Sequence, residues 1–237
     1  MRVINWNVQW VGPRSKRGLL ILEEIFKRTP EVVCVTEGYE EFFSNEGFTI
    51  SSNADYGYNS NPDRRKVLLW SKNPWKQIDD FGDINLPSGR FISGKTMTSI
   101  GEVEFVGVCI PWRDAHVSTG RKNRRMWEDH KAYLKGLKLI LSYINKSPRI
   151  LLGDFNQRIP RAKQPIHIYE LLLNSFPDKL HFATSGNVPG LDKQTIDHIA
   201  HSIEIIAKNI FSIDNKINDE KLLSDHFGVV VDLENKK

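Results

Sequence analysis

Five places in this chain set an oxygen-rich polar side chain in or just after an apolar run. Asn7 interrupts INWNVQW, Glu37 closes VVCVTE, and Asp154 and Asn156 follow the apolar residues of ILLGDFN. Asp197 lies in TIDHIA, and Asp225 and His226 stand in LSDHFGVVV. Carboxylate and amide oxygens are hard ligands suited to Mg²⁺ or Mn²⁺, ions that keep several waters and share phosphate oxygens. No cysteine–histidine spacing suggests zinc. A histidine with an adjacent carboxylate can accept the proton of an attacking water, while a second carboxylate fixes its tautomer. Together these groups fit metal-assisted phosphoryl transfer, in which positioning and charge neutralisation matter most. Singly, each has a plainer reading. Asn7 fits a strand end or bulge, Glu37 a solvated strand terminus, and GDFN a tight turn. Asp197 and Asp225 fit turn caps, and His226 fits a structural histidine. Their order and contexts in combination favour the chemical reading.

Such groups need a rigid frame, and the chain supplies strand signals throughout. Strands are predicted at Arg2–Gln9, Val32–Glu37, Lys66–Ser71, Met97–Ile100, Glu104–Ile110, Arg149–Leu152, Ile196–Ala200 and Gly228–Leu233. The continuous apolar runs Val32–Val35 and Ile150–Leu152 suit strands covered by other layers. Helices are predicted over Gly18–Arg28, Arg124–Asn145 and Ile168–Phe176, each with an apolar face and a proline beyond its end. Ser51–Arg65, Asp80–Gly94 and Ser185–Lys193 carry the glycine, asparagine, serine and proline of loops. The order β-α-β, a β-rich middle, then β-α-β and terminal strands predicts a mixed-sheet, layered α/β fold.

The chain of 237 residues is long enough for one sizeable core, and one domain is expected. Its hydrophobic fraction of 40% and charged fraction of 26% exclude global disorder. Cys34 and Cys109 sit in apolar runs, which fits buried free thiols in a reducing compartment. The N-terminus shows no apolar signal region, and no run reaches membrane-span length. A cytoplasmic monomer that makes no membrane contact is expected, and no protein partner can be inferred. The net charge of +4 is compatible with a polyanionic partner such as nucleic acid, and equally with a solvated basic surface.

The motifs WNV, an apolar strand ending in Glu, GDFN, IDHI and SDH before a terminal strand resemble the endonuclease/exonuclease/phosphatase superfamily. That group includes apurinic/apyrimidinic endonucleases, deoxyribonuclease I type nucleases, neutral sphingomyelinases and inositol polyphosphate phosphatases. The resemblance spans Asn7 to His226, with LLGDFN and SDH its most specific parts. It implies a four-layer α/β sandwich, two mixed β-sheets packed face to face with helices on the outside. It also implies roles. Asn7 and Glu37 resemble metal-site residues, which Asp225 joins or orients. Asp154 resembles the aspartate that positions or activates the attacking water, and Asn156 the asparagine that bonds a phosphate oxygen. Asp197 and His226 resemble an Asp–His pair in which the carboxylate orients the imidazole.

One departure stands out. Many members carry Tyr or His at the end of the strand before the long central helix, where it helps hold the phosphate. Here that stretch reads VGVCIPWRDAH, and Cys109, Pro111 and Trp112 cannot replace it. Arg113 and His116, just beyond, are the substitutes the sequence offers, although His116 also fits a plain loop residue. Basic clusters at Arg64–Lys66 and Arg121–Arg125, the latter containing Arg124 and Arg125 beside Trp127, suit a phosphate backbone and a stacked base, or a solvated face. Cations at a helix start are disfavoured by the helix dipole, which favours a functional use of the second cluster. The sequence therefore points to a metal-dependent nuclease acting on DNA or RNA. The alternative is a phosphatase or phosphodiesterase of a small phosphorylated metabolite or lipid head group. A lipid substrate would call for an exposed apolar loop, and the one candidate, Phe42-Phe43, reads as helix or core. A non-catalytic binding module is disfavoured because every expected catalytic position except the Tyr/His is filled.

Overall fold

The fold is that of a computed structural model, and the structure describes residues 1–43, 47–59, 61–142, 148–177, 180–217 and 221–236. The chain runs through β1 (Arg2–Asn7), α1 (Lys16–Phe26), β2 (Val32–Tyr39), β3 (Phe48–Ser51), β4 (Arg64–Ser71) and β5 (Trp75–Asp79). Next come β6 (Phe91–Thr98), β7 (Gly101–Cys109), α2 (Glu128–Ser142), β8 (Arg149–Asp154) and α3 (Ile166–Leu173). The last third holds β9 (Leu180–Phe182), β10 (Asp197–Ser202), β11 (Ile205–Ile213), β12 (Lys216–Ile217), β13 (Lys221–Leu222) and β14 (Gly228–Asn235).

Two six-stranded sheets form, ordered β11-β14-β1-β2-β4-β3 and β5-β6-β7-β8-β10-β9, with β12-β13 as a separate hairpin. Each sheet has one parallel pair at its centre, β1 with β2 and β7 with β8. A helix spans each crossover, as parallel pairing requires. The sheets pack face to face. Val3, Val32, Cys34, Val67 and Leu69 from the first meet Ile92, Phe105, Ile150, Leu152 and Ile199 from the second. On the outer face of the first sheet, α1 adds Ile21 and Ile25 to Ile4, Trp6, Val33 and Leu68. Beyond the second sheet, Tyr133, Leu134 and Leu137 of α2 and Leu172 of α3 cover Val106, Val108 and Leu151. The result is the expected four-layer α/β sandwich. Strands covered on both faces bury nearly every residue, which is why Val32–Val35 and Ile150–Leu152 read as unbroken apolar runs.

Several boundaries differ from the sequence reading. The stretch assigned to loop at Asp80–Gly94 ends inside β6. There Ser93, Thr96 and Thr98 are buried, so small polar residues hide the expected alternation. β11 escapes the sequence because its register shifts between Ala207 and Asn209, which breaks the period of two. The long helix begins at Glu128, four residues later than Arg124, and residues 143–145 of its predicted span lie outside the described residues. Its first turn carries Glu128 and Asp129, so the dipole is complemented and Arg121–Arg125 belong to the preceding loop. Phe42 and Phe43 form a buried 3₁₀ turn rather than an exposed apolar loop. Cys34 and Cys109 are both buried and free.

Candidate active site

The two central parallel pairs point their C-terminal ends the same way, and the motif residues meet there. Asn7 ends β1, Glu37 lies near the end of β2, and Asp154 ends β8. Asp197 opens β10 directly opposite Asp154 in the antiparallel register. His226 precedes β14, whose Trp6 neighbour fixes it by donating its indole N–H to the His226 carbonyl at 2.9 Å. A cleft of about 530 Å³ opens over these ends, with Asn7, Glu37, Asp154, Asn156, Asp225 and His226 in its lining. Asp197 lies beneath, 1% exposed.

Local sequence explains how the side chains are aimed. Gly153 has φ +143°, and a Cβ there would stand 1.8 Å from the Val108 carbonyl oxygen. Only glycine lets β8 press so closely on β7 before Asp154. The Asn156 N–H then donates to Asp154 Oδ1 at 2.8 Å, an Asx turn that orients the carboxylate. Asn156 itself adopts φ +52°, a conformation asparagine tolerates, and its amide donates to the Ile110 carbonyl at 2.9 Å. Glu37 has φ +54° within a strand, a costly left-handed conformation for a residue with a side chain. Asn7 reaches across the sheets and donates to Asp154 Oδ2 at 3.1 Å.

His226 Nδ1 lies 2.6 Å from Asp197 Oδ2, a charge-assisted hydrogen bond that fixes the ring. Its Nε2 lies 3.9 Å from Asp225 Oδ1. Burial pushes the Asp154 carboxyl up to about 7, and the neighbouring Asp197 charge adds to the rise. Burial alone would lower the His226 imidazole. The Asp197 charge and hydrogen bond, with Asp154 and Asp225 behind them, outweigh it and raise the group to about 10. One group is thus poised to lose or take a proton near neutrality, and its neighbour is held as a cation. Environments that push two titrating groups apart mark acid–base partners.

A deeper layer holds this loop. Gln157 donates to His130 Nε2 at 2.7 Å, and the Gln157 carbonyl accepts from His198 Nε2 at 3.0 Å. His130 Nδ1 bonds the Pro111 carbonyl at 2.6 Å, and His198 Nδ1 bonds the Thr184 hydroxyl at 3.0 Å. Both rings are buried, and burial lowers each imidazole to about 4. These neutral rings brace the Asp154–Gln157 turn from below.

The opposite wall is cationic and aromatic. Lys66 Nζ pairs with Glu37 Oε1 at 2.7 Å and sits 4.8 Å from the Trp10 ring centroid. The Arg64 guanidinium lies 4.9 Å from the same ring, which stacks on Tyr56 at 5.7 Å. Arg90, 3% exposed, lines the cleft beside Cys109, with Nη1 3.4 Å from the Cys109 carbonyl oxygen. Among the described residues no carboxylate pairs with it. The Cys109 thiol is pushed up to about 12 by burial, so it stays protonated. Of these lining residues the sequence had marked Arg64 and Lys66. Trp10, Tyr56, Tyr58 and Arg90 were missed. The paired tyrosines of DYGYN, beside the Arg64–Lys66 cluster, were the available signal.

The loop candidates go elsewhere. Arg113 is exposed and bonds Asp114 at 2.7 Å. Arg124 pairs with Asp129 at 2.7 Å, and Arg125 is exposed beside Glu128. His116 is buried, accepts the Arg121 N–H at 3.1 Å and packs on Tyr58 at 4.4 Å. His116 and Arg124 line a neighbouring cavity of about 380 Å³ rather than the cleft.

Asp154, Asp197 and His226 each bring one donor atom to within 4.8 Å of the others. The Asp197–His226 bond occupies Nδ1, so the hard oxygens of Asn7, Glu37 and Asp225 in the cleft lining suit a divalent cation better. A cation also fits electrostatically, because among the described residues Asp197 Oδ1 is buried with no hydrogen-bond partner, and Asp154 is raised by burial and by the Asp197 and Glu37 charges. Among the described residues, no helix is long and apolar enough to cross a membrane.

Two mixed sheets packed face to face, with a carboxylate–histidine cleft over their strand ends, define a class of layered α/β phosphoester hydrolases. The chain belongs to the endonuclease/exonuclease/phosphatase family, whose sequence pattern matches residues 4–226. Solved structures share the fold at low identity. The human Nocturnin catalytic domain with bound sulfate is 17% identical, with TM-score 0.69, covering 100% of this chain and 94% of its own. The 3′ phosphatase NExo from Neisseria, bound to a product DNA hairpin, is 16% identical with TM-score 0.69 and 99% coverage of both chains. An AP endonuclease from Archaeoglobus fulgidus is 14% identical with TM-score 0.68 and 98% coverage of both. No curated protein matches the chain by sequence.

Proposed function

We propose that the protein hydrolyses phosphodiester bonds in nucleic acid. The observation that carries this reading is the convergence of Asp154, Asn156 and an Asp197-held His226 at one cleft. Asp154 positions the attacking water and takes its proton. His226, oriented by Asp197, donates from Nε2 to a phosphate oxygen or to the departing alcohol. Asn156 carries a second amide N–H for a phosphate oxygen. Arg90, a buried guanidinium with no carboxylate partner among the described residues, provides the positive group that Cys109 cannot. Burying such a charge is costly unless an anion meets it. Asn7, Glu37 and Asp225 would hold Mg²⁺ or Mn²⁺, which when bound neutralises phosphate and carboxylate charge. The choice of nucleic acid is supported by the cationic wall of Arg64 and Lys66, and by two likenesses whose names concern DNA or its abasic sites.

The test is a substrate panel with Mg²⁺, Mn²⁺ or EDTA: single- and double-stranded DNA, abasic duplex, RNA, and a chromogenic phosphodiester. Metal-dependent cleavage of a nucleic acid that weakens steeply with salt is expected. Cleavage confined to the small phosphodiester, indifferent to salt, would overturn the nucleic-acid reading.

A further inference from the structure

The cleft aromatics differ in what they already touch. Trp10 stacks on Tyr56, with Lys66 and Arg64 against its ring. Tyr56 also meets Tyr58 at 5.7 Å, and Tyr58 packs on His116. Their faces are used within the protein. Trp112 is the exception. It lines the same cleft and is 45% exposed. Among the described residues it has no ring or cation partner. A large indole left half-exposed inside a concave polar site is an apolar face without an internal use.

Its place in the chain adds to this. Trp112 stands two residues beyond Ile110, whose carbonyl holds the Asn156 amide. Its backbone is anchored, since the Trp112 carbonyl accepts the Ala115 N–H at 3.1 Å. The neighbouring Pro111 carbonyl is fixed by His130. The indole is therefore mounted on the braced turn after β7 that also anchors the Asn156 amide, and it lines the same cleft as Arg64 and Lys66.

We propose that Trp112 is a stacking platform for a nucleobase next to the scissile phosphate, so that the substrate presents an unpaired base. This rests on the phosphoesterase reading of the cleft. A base inside a duplex has both faces covered by its neighbours. Only a base that is unpaired, terminal or flipped offers a π-face to a side chain. Such a base could belong to a nucleic-acid strand or to a free nucleotide.

The test compares wild type, Trp112→Phe and Trp112→Ala on three probes: a single-stranded oligonucleotide, the same strand with one abasic site, and a mononucleotide. Binding is measured by fluorescence anisotropy in EDTA for labelled strands and by calorimetry for the mononucleotide. Cleavage is measured with Mg²⁺. Trp112→Ala should weaken binding of the intact strand about tenfold or more, the scale of base–aromatic stacking, and raise KM with little change in kcat. Trp112→Phe should retain most of the affinity. The strand whose abasic site occupies the cleft should bind both variants like wild type. Loss for the mononucleotide as well would place the platform on free nucleotides, and loss confined to the strand would place it on nucleic acid. Equal binding of the intact strand by wild type and Trp112→Ala would overturn the proposal, as would equal losses on intact and abasic strands. Failure of wild type to cleave any probe would overturn the nuclease reading instead, while the EDTA binding arm still decides the role of Trp112.

Discussion

The two β-α-β halves are built alike but end in different electrostatics. In the first sheet, β1 and β2 deliver Asn7 and Glu37, and Lys66 neutralises Glu37 from the adjacent strand at 2.7 Å. In the second, β7 and β8 deliver Cys109 and Asp154 into a buried setting. Among the described residues no lysine or arginine pairs with Asp154; the Asp197 and Glu37 charges raise it and the His226 charge opposes them. Buried neighbouring carboxylates share an energetic penalty that protons or a metal relieve. On the proposed reading the first sheet contributes a charge-balanced binding side, and the second contributes Asp154 and the Asp197–His226 pair's carboxylate.

The sharpest way to break that contrast is to neutralise the titrating side. His226→Ala and Asp154→Asn should each lower kcat by about two or more orders of magnitude, the scale of lost general acid–base catalysis. Near-normal turnover by either variant, folded by circular dichroism, would remove the division of roles. Steady-state kinetics across pH adds detail. The wild-type profile should be bell-shaped, and Asp154→Asn should lose its acidic limb.

Stability should also titrate on the second-sheet side. His130 and His198 resist protonation until about pH 4 when folded, whereas unfolded histidine titrates near 6.5. As pH falls below 6.5 the unfolded chain takes up those protons first, so stability drops between 6.5 and 4. The loss is roughly 3 kcal/mol per ring over that window. Urea unfolding at pH 7.5 and 4.5 checks this, and His130→Gln should flatten the drop. An unchanged pH dependence in that variant would show that the ring is not buried neutral.

On the first-sheet side the expected effects are smaller. Glu37→Gln should raise the Mg²⁺ concentration for half-maximal activity by about tenfold, the lower end for perturbing a metal's surroundings. A superimposable metal titration would argue against the ligand role. Smallest of all should be charge reversal across Arg121–Arg125. Those side chains do not line the cleft, and Arg124 is already paired with Asp129. Oligonucleotide affinity should change by only about threefold, through screened long-range attraction. Arg64→Glu, inside the cleft, should do more. The reverse ranking would move the nucleic-acid track to the loop before α2.

The sequence alone determined the layered α/β class, the buried free thiols and the set that converges on the cleft. Apolar runs broken by Asn7, Glu37, Asp154, Asp197 and His226 are local patterns, and local patterns survive without coordinates. Arg90 and Trp10 carry no signal in the sequence, and Tyr56 and Tyr58 only the pairing in DYGYN, because each acquires meaning only from what lies opposite. The sequence offered Arg113 and His116 for the phosphate because they follow the right strand, and Arg124 and Arg125 for a nucleic-acid backbone because they stand in a basic cluster. The loop instead turns through left-handed backbone at His116 and Lys122, leads His116 and Arg124 to an adjacent cavity and leaves Arg113 and Arg125 exposed. Proton affinities were out of reach for the same reason. They depend on burial and on charges brought close by strands distant in sequence, and only the packed sheets bring Asp197 to within hydrogen-bond distance of His226.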